Sequence, residues 1–353
     1  MLESFISLHE QIISPDRLPI AAAAIILSII LGIVMGNIPL GGNANPVAWQ
    51  MIDTIFGTLG NRLDRKDRKR GDLIFRGFIM TTLAILLAYG LAQQGSDYAK
   101  SNDYGMIYET LMLSLCLTCG GVWHLLIKLY RTIESGKSEQ GAYAALTRTT
   151  RTNLTATDSF GITRVGMNYA ARSFDKSLVS PIFWFLILGL PGAFIYTALA
   201  AMAWRFGKDG FTKGFGASAL ALEKLMGFIP SFLAGTLIML ASTIAPTASI
   251  TRSLSFLIGF ALCKIRRGVA TYDSGGMPLS AMAWALDVTL GGASKDIEGS
   301  AIKSTWTGPP TATAKIDHTH LRRAILIHMG ATLLFLAALG GAYLWSELLL
   351  DIS

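Results

Sequence analysis

The chain has 353 residues, of which 52% are hydrophobic and only 15% are charged. A soluble domain usually carries about 25% charged residues, and the apolar residues here are clustered, so the composition excludes a soluble globular domain. The net charge of +7 does not indicate a nucleic-acid partner. The basic residues concentrate at the ends of apolar segments, where they set membrane orientation, and no stacking aromatic residues are interleaved with them.

Six apolar segments are each long enough to cross a hydrocarbon core, which is roughly 30 Å thick and takes about 20 helical residues to span. They cover residues 20–40, 74–92, 106–130, 181–204, 226–245 and 324–345. Because a backbone in lipid must satisfy its own hydrogen bonds, these segments are predicted to be helices. The prediction is an all-α, polytopic integral membrane protein with about six transmembrane helices. A Pro-Gly pair at 191–192 interrupts the fourth segment, which either spans the membrane or re-enters it.

A single membrane domain over residues 1–353 is predicted, with long polar loop regions at 131–180 and 264–323. Loops of this length are usually functional or disordered. The basic run at 62–70 predicts a cytoplasmic position and contact with anionic membrane lipid. Alternation of the helices from that run places both polar regions in the cytoplasm. The expected location is the bacterial inner (cytoplasmic) membrane, as a multi-pass protein.

The predicted spans hold few ionisable residues, whereas transporters and pumps need such residues inside their helices. A transporter is therefore the least favoured class. Cys116 and Cys119 have CxxC spacing, but they lie in an apolar helix without a second pair. A zinc site needs four ligands, so packing of small residues is the better interpretation. His318 and His320 lack a third ligand, and no metal site is predicted.

Three parts of the chain resemble, in order and spacing, the motifs of one family. The first is Gly-Asn-Ile-Pro at 36–39, followed by Asn-Pro-Val at 45–47. The second is Ser-Pro-Ile-Phe-Trp at 180–184, followed by Gly-Leu-Pro-Gly-Ala at 189–193. The third is the segment 277–292, followed by Trp-Thr-Gly at 306–308. They resemble motifs of the CobD/CbiB membrane proteins of cobalamin biosynthesis. The similar family motif is Gly-Asp-x-Pro … His-Pro-Val for the first part and Ala-Pro-Leu-Phe-Trp … Gly-Ala-Pro-Gly-Ala for the second. For the third part it is Ala-Gly-Ala-Leu … Leu-Gly-Gly … Trp-x-Gly. The chain resembles the AmpE-type proteins more distantly.

The resemblance implies an amide bond between adenosylcobyric acid and aminopropanol or its phosphate, with ATP and magnesium if the chain is active. Magnesium and phosphates require hard oxygen ligands, usually carboxylates. This sequence departs from the family at the positions that supply them. Where the family has its Glu … Glu-Asn … Asp-Gly pattern, this chain has Asn168, Arg172, Ser173, Lys176 and Ser177.

The acids that remain near the family's acidic positions are Glu223 and Asp175, and Asp273 lies in the third region. As an enzyme of this family, the chain is expected to use Glu223, Asp175 and Asp273 as its catalytic acids. The competing interpretation makes Asp175 and Glu223 surface charges that balance the neighbouring Lys176 and Lys224.

Substrate or phosphate binding is expected from six further residues: Asn37, Asn45, Arg164, Arg172, Tyr272 and Ser274. The two asparagines could instead form turns or caps at a helix end. The two arginines could be ordinary cytoplasmic loop residues. The glycines after Ser274 would let a backbone approach a phosphate closely, although a turn before a helix explains the segment equally well.

Two functions follow from the resemblance. The first is adenosylcobinamide-phosphate synthesis; the alternative is a catalytically degenerate member that acts as a membrane scaffold, binding or sensory protein. An enzyme predicts one polar pocket that contains Arg172 with Asp175, Glu223 or Asp273, whereas a scaffold predicts that these residues are dispersed. The expected partners are membrane lipid, a corrinoid substrate and other proteins of cobalamin assembly.

Overall fold

The computed structural model describes residues 16–36, 42–65, 68–136, 140–155, 157–208, 214–262, 265, 267–297, 299, 301–302 and 304–350. The helices are α1 (Arg17–Met35), α2 (Val47–Leu63), α3 (Arg70–Lys100), α4 (Gly105–Leu115), α5 (Gly120–Ser135), α6 (Gln140–Thr150), α7 (Ser159–Phe174), α8 (Ser180–Leu188), α9 (Leu190–Phe206), α10 (Ala217–Ala241), α11 (Ile250–Ala261), α12 (Gly276–Leu286) and α13 (His318–Leu350). A π turn (Asp175–Val179) joins α7 to α8, and a 3₁₀ turn (Tyr272–Ser274) precedes α12. The strands are β1 (Leu290–Gly291), β2 (Ser294–Lys295), β3 (Ala301–Ile302) and β4 (Trp306–Thr307).

Among the described residues, five helical segments are long and apolar enough to cross a membrane: α1, α3, α4 with α5, α10 and α13. Large apolar side chains such as Val34, Leu86, Phe228 and Leu344 stay more than half exposed on them. Apolar surface of this extent on spanning-length helices faces lipid. The structure thus confirms the prediction of an all-α polytopic membrane protein.

The fourth predicted span is a broken helix. Gly189, at φ 69°, ends α8 after nine residues, and Pro191 lies in the first turn of α9. A proline is tolerated there because the first N–H groups of a helix have no partner within the helix. The guanidinium of Arg17 donates to the carbonyl oxygens of Leu186 and Ile187, at 3.0 Å each, and so satisfies the carbonyl end of α8.

Glycines allow α1 and α5 to cross in backbone contact. A Cβ atom added to Gly32 would lie 2.0 Å from the backbone nitrogen of Gly121, and one added to Gly120 would lie 2.2 Å from the carbonyl oxygen of Ile29. Small residues at such a crossing let two membrane helices approach closely. Cys119 lies at the same crossing, buried and unpaired, in agreement with a packing role for the CxxC cysteines.

The two polar regions contribute helices to the interior. In the first region, α7 begins at Asp158, whose Oδ1 accepts a hydrogen bond from the N–H of Gly161 at 2.8 Å, a favourable N-cap. In the second region, α12 is almost wholly buried. Two short antiparallel pairs, β1 with β4 and β2 with β3, follow α12. These segments surround the cavity described next.

Candidate anion-binding cavity

One cavity of about 570 Å³ lies among α7, the π turn, the ends of α6 and α9, the first turns of α10 and the short strands. Its volume falls within the range of about 300–1,000 Å³ that is typical of small-molecule sites. Threonine and serine hydroxyls, amides and charged groups make up much of its lining. Residues of both polar regions of the chain therefore line the same cavity.

Four side chains along one face of α7 and the π turn line this cavity: Arg164, Asn168, Arg172 and Lys176. We call them the α7 row. Residues four apart lie above one another on a helix, which explains why all four point to the same space. Single π turns inside α-helices are rare and are often found at functional sites.

The α7 row ends in a buried ion pair. The Lys176 Nζ atom lies 2.5 Å from Glu223 Oε1, and the two side chains are only 7% and 1% exposed. The ammonium also lies 4.5 Å from the centre of the Tyr272 ring, and the Tyr272 hydroxyl lies 3.3 Å from Glu223 Oε1. Glu223 Oε2 is buried and has no hydrogen-bond partner in the described structure. Glu223 therefore has one oxygen engaged by Lys176 and one buried acceptor that no described group satisfies.

The interpretation of Asp175 and Glu223 as surface charges is wrong, because both side chains are buried. Lys176 forms its ion pair with Glu223 and not with Asp175, its neighbour in the sequence. Asp175 lies behind the cavity wall and accepts a hydrogen bond from the Ser180 hydroxyl at 2.7 Å. Its position supports the π turn, and it does not belong to the cavity lining.

Lys208, which follows α9, ties two walls of the cavity together. Its Nζ atom donates to the carbonyl oxygens of Thr150 (3.0 Å) and Arg151 (2.5 Å) and to Asp296 Oδ1 (2.8 Å). Burial lowers the pKa of Lys208 to about 8, although the neighbouring Asp296 opposes this shift. Lys208 is thus a cavity lysine that loses its charge at mildly alkaline pH.

The opposite end of the cavity is aromatic. The rings of Trp49 and Trp204 lie 6.0 Å apart, and the Thr149 carbonyl accepts hydrogen bonds from Trp204 Nε1 and Asn45 Nδ2, both at 3.0 Å. Trp49 Nε1 is buried without a partner in the described part of the chain. This indole N–H is a donor available to a bound molecule. Asn45 also lines the cavity, and its backbone N–H bonds to Asn43 in a local turn.

The remaining predicted site residues are divided between the lining and its support. Asp273 and Ser274 line the cavity from the 3₁₀ turn. Tyr272 lies behind them against Lys176 and Glu223. Arg164 lies 4.8 Å above the ring of Trp306, and its burial lowers its pKa. Asn37 lies outside the described residues.

The charged lining is strongly basic. It contains five cations against two carboxylates: Arg164, Arg172, Lys176, Lys208 and Lys295 against Glu223 and Asp273. Within the described residues, no group of three or more His, Cys, Asp or Glu side chains could hold a metal ion. Magnesium is bound through carboxylates, waters and substrate phosphates, and Glu223 is already engaged by Lys176. The donor set does not fit a magnesium site and suits an anion.

The fold and the cavity define a polytopic membrane protein with a basic, polar site enclosed by its helices. The chain belongs to the CobD/Cbib protein family, whose family model matches residues 16–328. No solved structure matches it.

Three relatives show the extent of the similarity. The chain is 25% identical over 209 residues to the probable cobalamin biosynthesis protein CobD of Pyrococcus abyssi, across 59% of this chain and 67% of the relative. It is 25% identical over 275 residues to CobD of Clostridium perfringens, across 76% and 82%. It is 28% identical over 154 residues to CobD of Brucella suis, across 42% of this chain and 45% of that relative.

Proposed function

We propose that this chain takes part in cobalamin biosynthesis as a membrane protein that binds an anionic pathway compound in the basic cavity. The observation that carries the proposal is the lining of five cations against two carboxylates. Its relatives are named cobalamin biosynthesis proteins. The compounds that the family resemblance implies, adenosylcobyric acid and aminopropanol phosphate, each carry an anionic group, a carboxylate and a phosphate respectively. The proposed location is the bacterial inner membrane, with other proteins of cobalamin assembly as partners.

The buried pair of Lys176 and Glu223 favours a binding or sensory member over an amide-forming enzyme. An ammonium at 2.5 Å neutralises the carboxylate that would otherwise ligate a cation or accept a proton. Breaking such a buried pair costs about 3–5 kcal/mol, so Glu223 is held in this contact. Binding of an anion requires no change of the pair, because Arg164 and Arg172 line the cavity outside it.

Amide-bond formation is the second candidate, and one observation favours it. Arg172, Glu223 and Asp273 line the same cavity, which is the arrangement that an enzyme was predicted to show. In this candidate the amine of aminopropanol phosphate attacks a carboxyl carbon of adenosylcobyric acid that ATP has activated as an acyl phosphate. The C–N bond forms as the C–O bond to phosphate breaks and phosphate leaves. Asp273 is then the carboxylate that accepts the proton of the amine, since Glu223 is engaged by Lys176.

Both candidates are tested with the full chain in a non-ionic detergent. Calorimetric titrations measure the binding of adenosylcobyric acid and of aminopropanol phosphate, and mass spectrometry follows the amide product after addition of ATP and magnesium. Arg172→Met is compared with Arg131→Met, a matched change of an exposed arginine on α5.

Binding without product, weakened by Arg172→Met and unchanged by Arg131→Met, supports the binding function. Product that disappears in Asp273→Ala supports the second candidate. If neither compound binds and no product forms, while a family member with its acids intact works in parallel, the proposed function is wrong.

A further inference from the structure

We propose that a buried polar cluster behind the cavity wall binds a single sodium ion. The cluster joins the π turn, α8, α9 and α10, and we call it the interior cluster. Its members are Asp175, Ser180, Tyr196, Glu223 and Ser231, and each of these residues is at most 3% exposed. Only Glu223 also lines the cavity. The site goes beyond the proposed function and does not depend on it.

The members of the interior cluster are neighbours in space, although they come from four elements of the fold. The Asp175 carboxylate accepts a hydrogen bond from the Ser180 hydroxyl at 2.7 Å, and the Ser231 hydroxyl is its second polar neighbour. The Tyr196 hydroxyl lies beside Ser180, and the charges of Asp175 and Glu223 both act on it. The oxygens of four packed elements therefore meet around one place in the interior.

Three oxygens of the interior cluster are buried and have no hydrogen-bond partner in the described structure. They are the Tyr196 hydroxyl, Ser231 Oγ and Glu223 Oε2. Burial of a polar group without a partner is unfavourable, and such groups are rare in folded proteins. Three of them in one cluster indicate a ligand that interacts with oxygen lone pairs.

The interior cluster also carries one negative charge that nothing offsets in the described structure. Of the described cations, Lys176 is the one that acts on the charge of Asp175. Its ammonium is already paired with Glu223, so that pair is neutral and the carboxylate of Asp175 remains. A buried charge without a counter-ion is strongly unfavourable. One bound monovalent cation brings the net charge of the cluster and Lys176 to zero.

The donor set suits sodium better than a proton or a divalent ion. Hard cations bind oxygen ligands, and the interior cluster offers only oxygens. A proton on Asp175 would satisfy one of the three unpartnered oxygens, whereas a sodium ion is ligated by several at once. A divalent ion would leave an excess of positive charge in the interior. The π turn interrupts the α-helical rod at Asp175, and interrupted helices are where membrane transporters bind sodium.

The experiment follows thermal unfolding of the full chain in a non-ionic detergent near neutral pH. Sodium chloride is compared with choline chloride, each at about 0.15 M, a physiological ionic strength. We expect sodium to raise the midpoint of unfolding by about 2–4 °C, the shift for a ligand present at several times its dissociation constant. Equilibrium dialysis with radioactive sodium should give a single ion per chain.

Three variants separate a sodium site from a purely structural cluster. Asp175→Asn removes the charge with little change of shape, so it should be at least as stable as the wild type in choline and should lose the sodium shift. Tyr196→Phe and Ser231→Ala each remove one proposed ligand and should raise the dissociation constant of sodium several-fold. The matched control is Ser253→Ala, because the Ser253 hydroxyl is buried but already donates to the carbonyl of Ala281. It should keep the full sodium shift.

The inference is overturned if sodium and choline give the same midpoint, if Asp175→Asn keeps the sodium shift, or if Tyr196→Phe and Ser231→Ala bind sodium as the wild type does. Stability that rises on acidification in choline and does not respond to sodium would also overturn it, since a proton would then neutralise Asp175. None of these measurements uses a compound of cobalamin biosynthesis, so the sodium site and the proposed function fail separately.

Discussion

Two contacts between helices in this protein are closed in opposite ways. At the crossing of α1 and α5, Gly32 meets Gly121 and Gly120 backbone to backbone, with no side chain between them. Between the π turn and α10, Lys176 and Glu223 bring opposite charges together in the interior. The glycine crossing stabilises the fold through close packing. The charged contact costs desolvation that an apolar pair would avoid, and it lies where the cavity begins. Close backbone packing thus stabilises the membrane-spanning helices, whereas the buried ion pair lies beside the cavity.

The largest loss of stability is expected when one member of the charged contact is replaced. Glu223→Gln leaves the Lys176 ammonium buried without its counter-ion, which should destabilise the protein by about 3–5 kcal/mol. Thermal unfolding in detergent measures the loss. The control is Asp72→Asn, because Asp72 forms exposed ion pairs with Arg68 and Arg76. An equal loss in both variants would show that burial of the pair does not matter.

The next effect breaks the glycine crossing. Gly32→Ala places a methyl group against the backbone of α5, where the nearest atom would lie at 2.0 Å. The helices must separate, and we expect a cost of about 3 kcal/mol, the upper end for overpacking. Gly90→Ala on α3, where nothing lies within 4 Å of the added atom, should leave the midpoint of thermal unfolding unchanged. Equal midpoints for the two variants would contradict the account of the crossing.

A smaller effect concerns Lys208 and pH. The pKa of Lys208 in the folded protein is about 8, below its ordinary value of 10.5. As pH rises from 7 to 9 the cavity loses this charge, and the affinity for sulfate, whose own charge is constant here, should fall a few-fold. Between pH 8 and 10.5 the unfolded chain binds the additional proton, so the contribution of Lys208 to the free energy of unfolding rises with pH.

Affinity and stability should thus change in opposite directions with pH. Calorimetry gives the first and thermal unfolding the second. Lys208→Met should remove both pH dependences. If the affinity of this variant for sulfate still falls as pH rises, another group causes the fall.

The smallest effect tests the far end of the α7 row. Trp306→Leu removes the ring over which Arg164 lies at 4.8 Å, a contact of about 0.5–1 kcal/mol at an exposed site. We expect a small loss of stability and a modest loss of affinity for aminopropanol phosphate, because Arg164 would no longer be held in position. Trp345→Leu, on the lipid-facing end of α13, serves as the matched control.

Most of the membrane frame could be predicted from the sequence, because hydropathy reports directly on the solvent of each segment. The ends of the helices could be predicted less well from the sequence. The predicted span 226–245 begins in the structure at Ala217. Glu223, which lines the cavity, and the exposed Lys224 lower the local hydropathy of its first turns. The break in the fourth span was predicted at 191–192. It occurs at Gly189, because Pro191 fits the first turn of α9.

The site could be predicted only in part. Arg164 and Arg172 are predicted from the resemblance. The four-residue spacing from 164 to 176 is a signal that the sequence analysis did not use and that would have indicated a shared helical face. The burial of Glu223 could not be predicted, because its partner Lys176 lies on a different helix, 47 residues away. Lys208 and Trp49 carried no local signal at all. Their positions depend on how distant segments pack around one cavity.

The π turn at Asp175–Val179 has a consequence for the way this chain tolerates changes in length. It accommodates one residue more than an α turn within a continuous helical rod that runs from α7 into α8. Deleting one residue, such as Ser177, would remove that additional residue and let the rod close into a regular α-helix with its two halves still in phase. The same deletion in a regular part of the rod would rotate its two halves relative to each other by about 100°. The rod is therefore expected to tolerate the loss of one residue at this place and not in the regular turns on either side of it.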